Sequence, residues 1–219
     1  MLFVYAALFS YAYVSIDTAT GALVLFGVVQ ITMFTINIIR GQKPSRFEYV
    51  GVILSLCGFT YLILPHAQTP SAIGFAMMSL SGVAWAVYTL LGQRSTNAIG
   101  DTAFNFIRTF PMVCMMFAVA CIFFQDSLVF SSRGVLLAVA SGALTSGAGY
   151  ALWYAVLPSL KTLQAAVIQL MVPVIAAVGG ILFAGEILTW PLVIASAMIL
   201  GGILCVVLGK QIATSIRKE

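Results

Sequence analysis

Apolar residues in this chain run on for fifteen to twenty-four positions at a time before Gly, Pro, Ser or a charge interrupts them. Eight such segments are predicted, at roughly 2–16, 18–39, 47–64, 72–92, 102–124, 134–157, 162–184 and 190–209. A helix of about 20 apolar residues crosses the hydrocarbon core of a bilayer, and in lipid each segment must pair its own backbone N–H and C=O groups. A barrel would need alternating strands of about 10 residues with a polar inner face, and these runs do not alternate. The expected fold is therefore all-α, a polytopic membrane helix bundle of about eight transmembrane helices, the first of them short for a full crossing.

Composition agrees. Of 219 residues 62% are hydrophobic and 7% charged, against about 25% charged in a soluble domain, so charge cannot cover a water-facing surface. The net charge of +4 does not imply a nucleic-acid partner, because the basic residues lie scattered between apolar runs and form no basic helix face. Cys57, Cys114, Cys121 and Cys205 all sit inside apolar runs without paired spacing, and His66 is the only histidine. Neither a disulfide framework nor a metal site is expected, and no cofactor. If the loops alternate sides, Arg40, Lys43, Arg46, Arg94, Lys161, Lys210, Arg217 and Lys218 collect on one side and only Arg133 on the other. That bias makes the first side cytoplasmic, with both termini there. The expected location is the cell (plasma or inner) membrane, multi-pass, with membrane lipid as a partner.

The chain also repeats. Shifted by 144 residues, RGQKPSRFEYVGVILSLCGFTYLIL from Arg40 pairs with GEILTWPLVIASAMILGGILCVVL from Gly185. Gly41 falls on Gly185, Gln42 on Glu186, Ser45 on Thr189 and Gly58 on Gly202, and with one residue of adjustment Tyr5-Ala6 falls on Tyr150-Ala151. The matching loops lie on opposite sides of the membrane, so the two units are inverted, as in secondary transporters whose solute site lies near the midplane. Three helices, 1–65, form the first unit and five, 72–210, the second; 211–219 is a cytoplasmic tail. On Tyr150-Ala151-Leu152, Pro173, Gly185-Glu186 with Thr189, and Gly201-Gly202, the sequence resembles the EamA-like family of the drug/metabolite transporter superfamily. The resemblance implies two inverted units of five helices. Gln42 stands where the family has a glutamate, and the first two family helices have no counterpart.

Few polar groups are left for chemistry. Pro173 lies mid-span and removes a hydrogen bond from the carbonyl of Gln169, which places a bare carbonyl and a side-chain amide together at the membrane centre. Either they meet a solute, or Gln169 bonds a neighbouring helix at a packing kink. Gln30 lies at the same depth in the matching span and shares a helical face with Asn37. Tyr150, Trp153 and Tyr154 form one aromatic stripe, and Trp85 with Tyr88 another; such rings either line a cavity or, for Tyr154 near a span end, join an interfacial belt. Arg108 is the one charge clearly within a span. Counted from Thr102 it lies about 9 Å along its helix, near enough to the cytoplasmic side for snorkelling to be the simpler expectation. The alternative has it face the cavity with Asn105 and bind a carboxylate.

Asp17, Asp101, Asp126 and Glu186 all fall at span ends, where Glu186 is better suited to capping than to proton coupling. Small residues at Ala138, Gly142 and Ser146 point to close helix packing. No GxSxG, HExxH or paired mid-span aspartate supports an intramembrane enzyme. The reading that follows is a secondary transporter, a permease or exporter, moving a small organic metabolite or drug-like solute by alternating access. Its candidate cavity residues are Gln30, Trp85, Tyr88, Asn105, Arg108, Trp153, Gln169 and Pro173. The alternative is a non-transporting truncated membrane fragment or scaffold component.

Overall fold

The computed structural model describes residues 1–67, 69–123, 131–184 and 187–216. The described residues are helical throughout their regular structure: α1 Leu2–Ala12, α2 Thr18–Ile39, α3 Arg46–Ile63, α4 Ala72–Gly92, α5 Ala98–Phe123, α6 Ser132–Val139, α7 Gly149–Val156, α8 Thr162–Ile168, α9 Val172–Ala184 and α10 Trp190–Ile216. A π-helical stretch, Ala140–Ala148, joins α6 to α7, and a 3₁₀ turn, Gln169–Met171, joins α8 to α9. Taken with these joints, seven helical rods among the described residues are long and apolar enough to cross a membrane. The protein is a polytopic helical bundle. The predicted first span is shorter than expected: α1 has 11 residues, about 16 Å of rise, which falls short of a crossing. The fifth begins at Ala98 rather than 102, four residues earlier than the apolar run alone shows.

Helix ends are set by local chemistry. The Asp17 carboxylate accepts the Thr20 N–H at 2.9 Å and caps α2. Gly41, with φ +73°, ends it, since that left-handed backbone is costly for any side chain bearing a Cβ. Ser45 and Glu48 form a reciprocal capping box at the start of α3. The Ser131 hydroxyl accepts the Gly134 N–H at 3.0 Å to open α6.

Contacts divide the chain into two compact units. The larger comprises Tyr5–Val87 with Lys161–Glu219, the smaller Met1–Val4 with Tyr88–Leu160. In the larger unit the main packing is α3 against α10, antiparallel, with Phe47 beside Gly209 and Gly58 beside Ala195. This seam is made by missing side chains. A Cβ on Gly51 would stand 2.5 Å from the Gly202 carbonyl oxygen, and one on Gly202 would stand 2.5 Å from the Gly51 carbonyl oxygen and meet the Ser55 hydroxyl. Close approach of backbones is how helices associate where lipid removes the hydrophobic drive. The Ser55 hydroxyl donates to the Ile199 carbonyl at 3.3 Å across the same seam. Beside it Phe59, Leu163, Val167, Leu170, Ile199 and Val206 make the apolar core. In the smaller unit, α5 and the π-bearing rod hold no fully buried stretch; many of their apolar side chains, Ile107, Phe110, Leu136 and Leu144 among them, are exposed, as lipid-facing residues are.

Gly202→Val is expected to lower thermal stability in detergent by roughly 1–3 kcal/mol through overpacking, whereas Gly27→Ala, where an added Cβ meets nothing within 4 Å, leaves it unchanged or slightly raised. Thermal unfolding followed by size-exclusion chromatography distinguishes the two.

Candidate functional site

Two clusters of polar side chains lie inside the apolar rods, one in each unit. In the larger unit the helix break supplies the first. Pro173 has no N–H, and on sequence grounds alone the Gln169 carbonyl is left without a donor. The chain instead tightens to a 3₁₀ turn, and the Val172 N–H donates to that carbonyl. The carbonyls that need partners lie one turn earlier, and side-chain amides take them. The Gln169 amide donates to the Ala165 carbonyl at 2.8 Å, and the Gln30 amide to the Ala166 carbonyl at 2.6 Å. The Trp85 indole N–H donates to the Gln169 side-chain oxygen, and the Gln169 amide also meets the Met33 sulfur at 3.8 Å. Gln30 and Gln169 are 2% and 7% exposed. Three of the sequence candidates, Gln30, Trp85 and Gln169, with Pro173 as the cause of the break, thus form one closed polar knot.

In the smaller unit the second cluster surrounds open space. A cavity of about 300 Å³ is lined by Tyr88, Thr102, Asn105, Arg108 and Tyr154, with Asp101 and Ser95 toward one end. The Asn105 amide donates to the Tyr88 hydroxyl at 3.3 Å, and the Tyr88 and Tyr154 rings lie 5.0 Å apart. Behind Tyr154, Tyr150 stacks at 6.3 Å and meets Phe106 edge-on at 5.3 Å, which fixes the aromatic wall. Tyr154 is 2% exposed, and its hydroxyl, close to those of Tyr88 and Thr89, makes no hydrogen bond of good geometry among the described residues. A buried hydroxyl left unpaired costs roughly 1–3 kcal/mol, so an acceptor or donor brought into the cavity would recover that energy.

With α5 starting at Ala98, Arg108 lies about 15 Å along the helix axis from that start. Its guanidinium stands 4.2 Å over the Phe104 ring, one turn back toward the helix start, as helical side chains lean. Pro111, three residues on and inside α5, cannot donate to the Ile107 carbonyl, so backbone polarity is added beside the charge. A charge within a span belongs beside water or a polar ligand.

The remaining candidate joins neither cluster: the Trp153 indole N–H is buried without a partner among the described residues. Asp101, Thr102 and Tyr154 are cavity residues that the sequence reading misses, although Asp101, Asn105 and Arg108 recur at the spacing of one helical face. Gly185 and Glu186 lie outside the described residues. Among the described residues, no cluster of His, Cys, Asp or Glu could hold a metal ion.

The model of the EamA-like transporter family matches residues 72–208. The chain belongs to that family. An uncharacterized protein of Pseudomonas aeruginosa is 44% identical over 92% of this chain and 69% of its own length. The threonine/homoserine exporter RhtA of Escherichia coli K12 is 27% identical over 94% of this chain and 67% of its own. A solved crystal structure superposes with a TM-score of 0.74 at 19% identity, covering 94% of this chain and 72% of that one, and so shares the fold. The chain spans about two thirds of the length of these relatives. EamA-like membership and the apolar rods make it a multi-pass protein of a membrane transporter family, and the relatives' transport role gives no support to an enzyme.

Gln169→Leu is expected to destabilise the protein by about 1–3 kcal/mol, because it strands the Trp85 indole and the Ala165 carbonyl. Tyr154→Phe, which removes a hydroxyl that makes no hydrogen bond of good geometry among the described residues, is expected to keep or raise stability. Thermal melts of the two variants side by side check the contrast between a closed knot and an open cavity.

Proposed function

We propose that this EamA-like chain carries a small organic solute bearing an anionic group across the membrane by alternating access, and that the Arg108 cavity binds it. The observation that carries the reading is the mid-span guanidinium, without an ion pair among the described residues, beside open space walled by Tyr88 and Tyr154. In a low-dielectric site a guanidinium offers a planar fork of N–H donors that matches a carboxylate in two parallel bonds. Asn105 holds the Tyr88 hydroxyl, Tyr154 supplies a second hydroxyl beside it, and the rings offer apolar area to the rest of the solute. Threonine and homoserine, after which the exporter of Escherichia coli is named, each carry such a carboxylate.

The polar knot of Gln30, Trp85 and Gln169 plays a different part in this reading. It closes the helix break on itself and makes that break a stable joint, about which α8 and α9 can change angle without baring backbone to lipid. Trp153, with an unused indole N–H, is a further candidate contact. The α3–α10 seam supports the inverted repeat of residues 1–65 and 72–210: Gly58 faces Ala195 and Gly202 faces Gly51, and both Gly58/Gly202 and Gly51/Ala195 are 144 positions apart. Equivalent residues exchanging contacts in this way is what a two-fold axis between units produces. The one-sided Lys and Arg array favours cytoplasmic termini in the cell membrane.

Reconstituted into vesicles with the unaltered chain as reference, Arg108→Gln is expected to lower the rate of carboxylate-solute movement, read with L-threonine and L-homoserine, at least about tenfold, the loss of one charge-assisted bond. Arg108→Lys is expected to recover part of it. Equal rates for the unaltered and Arg108→Gln proteins would remove the cavity from the pathway.

A further inference from the structure

We propose that the loop between α2 and α3 is a binding site for the headgroup of an anionic phospholipid. Arg40, Lys43 and Arg46 fall within seven residues, all three exposed, and no ion pair involves them among the described residues. Glu48 is the only carboxylate in this stretch; it is 7% exposed and accepts the Ser45 N–H at 2.6 Å, so it is committed to the capping box. Three cations are left with no protein anion among the described residues.

The positive-inside bias accounts for the side on which these cations lie, but the helix ends they flank do not favour all of them. Arg40 at the end of α2 suits the negative end of that helix, but Arg46 is the first residue of α3, where a cation meets the positive end and is unfavourable. An anion from outside would offset that unfavourable placement. The backbone offers no competing cradle, because the Gly41 and Gln42 N–H groups already donate to the Ile38 and Asn37 carbonyls at 2.8 and 3.2 Å. Side-chain charge alone is presented.

Lys43, between Arg40 and Arg46 in the loop, borders an open pocket of about 390 Å³ lined also by Ile38, Gly41, Gln42, Pro44 and Tyr49. Its wall is apolar and firm: the Tyr49 ring meets Phe34 edge-on at 5.5 Å. Ile38 and Ile39 are 47% and 77% exposed at the end of an apolar rod. A loop joining two membrane-crossing helices lies at headgroup depth whichever way the chain is threaded. A loop of three cations at that depth, one of them bordering an apolar notch, matches one molecule in two parts, a phosphate for the charges and an acyl chain for the notch. Juxtamembrane cations contribute about 1 kcal/mol each toward anionic lipid. The site lies in a different unit from the Arg108 cavity and stands whether or not that cavity binds a solute.

Native mass spectrometry of the purified full chain, released from detergent containing equal dioleoyl phosphatidylglycerol and dioleoyl phosphatidylcholine, tests it. The unaltered chain is expected to retain phosphatidylglycerol over phosphatidylcholine by about tenfold. Arg40→Gln with Lys43→Gln is expected to bring the ratio down to about two, the share left to Arg46, and Lys43→Gln alone to lower it by a smaller step should the double variant fail to fold. Arg94→Gln with Lys161→Gln, at other loops, is expected to leave it unchanged. Retention of both lipids alike by the unaltered chain, an unchanged ratio in the Lys43 variants, or an equal fall in the Arg94 and Lys161 variant would overturn the proposal. Displacement of phosphatidylglycerol by millimolar inorganic phosphate would overturn it also, by assigning the site to the free ion.

Discussion

No water is present in the core of a bilayer to take up a backbone N–H or C=O, and the protein has to close every such group on itself. Most of the chain does this by remaining helical. Where it departs from the α-helix, other groups must take over, and those departures are the informative places. At Gln169–Met171 the ladder tightens to a 3₁₀ turn, and Gln30 and Gln169 send their amides to the carbonyls of Ala166 and Ala165. The amides are buried because the backbone requires them, and Trp85 is drawn in because a buried amide oxygen requires a donor in turn.

The same constraint explains how the α3–α10 pair holds. Apolar side chains gain little by leaving lipid for protein, so the pair is stabilised by backbone proximity at Gly51, Gly58 and Gly202 and by the Ser55 hydroxyl reaching the Ile199 carbonyl. Glycines at such positions are conformationally costly in a helix. Here each one leaves room that the opposing backbone occupies.

How far these features are legible in the sequence differs with their cause. Spans and helix character follow from run length and from the need to pair backbone, because both are properties of a segment by itself. The 144-residue shift brings Gly58 opposite Gly202 in the alignment, and both lie in the seam. The Pro173 break is visible, but its consequence falls one turn away from where the sequence puts it: which carbonyl loses its donor depends on whether the chain answers with a 3₁₀ turn. Arg108 is located correctly in its helix, but that it lines open space with Tyr88 and Tyr154 depends on which helices pack beside it. Tyr154 looks like a belt residue because position along a span does not say which face of the helix is turned inward. That Gln169 and Arg108 differ in kind, one consumed by the fold and one left beside open space, is not readable from spacing at all.

A guanidinium within a span has meaning only if water and solute reach it. The most direct measurement is reactivity of Arg108→Cys, in a background with the four native cysteines replaced by alanine, toward a membrane-impermeant, water-soluble thiol reagent in sealed vesicles. Position 108 is predicted to react, at a rate comparable to that of a surface cysteine in the same protein. Failure to react with the water-soluble reagent, together with ready reaction with a lipid-soluble one, would place Arg108 against the bilayer and contradict its role in a solute cavity.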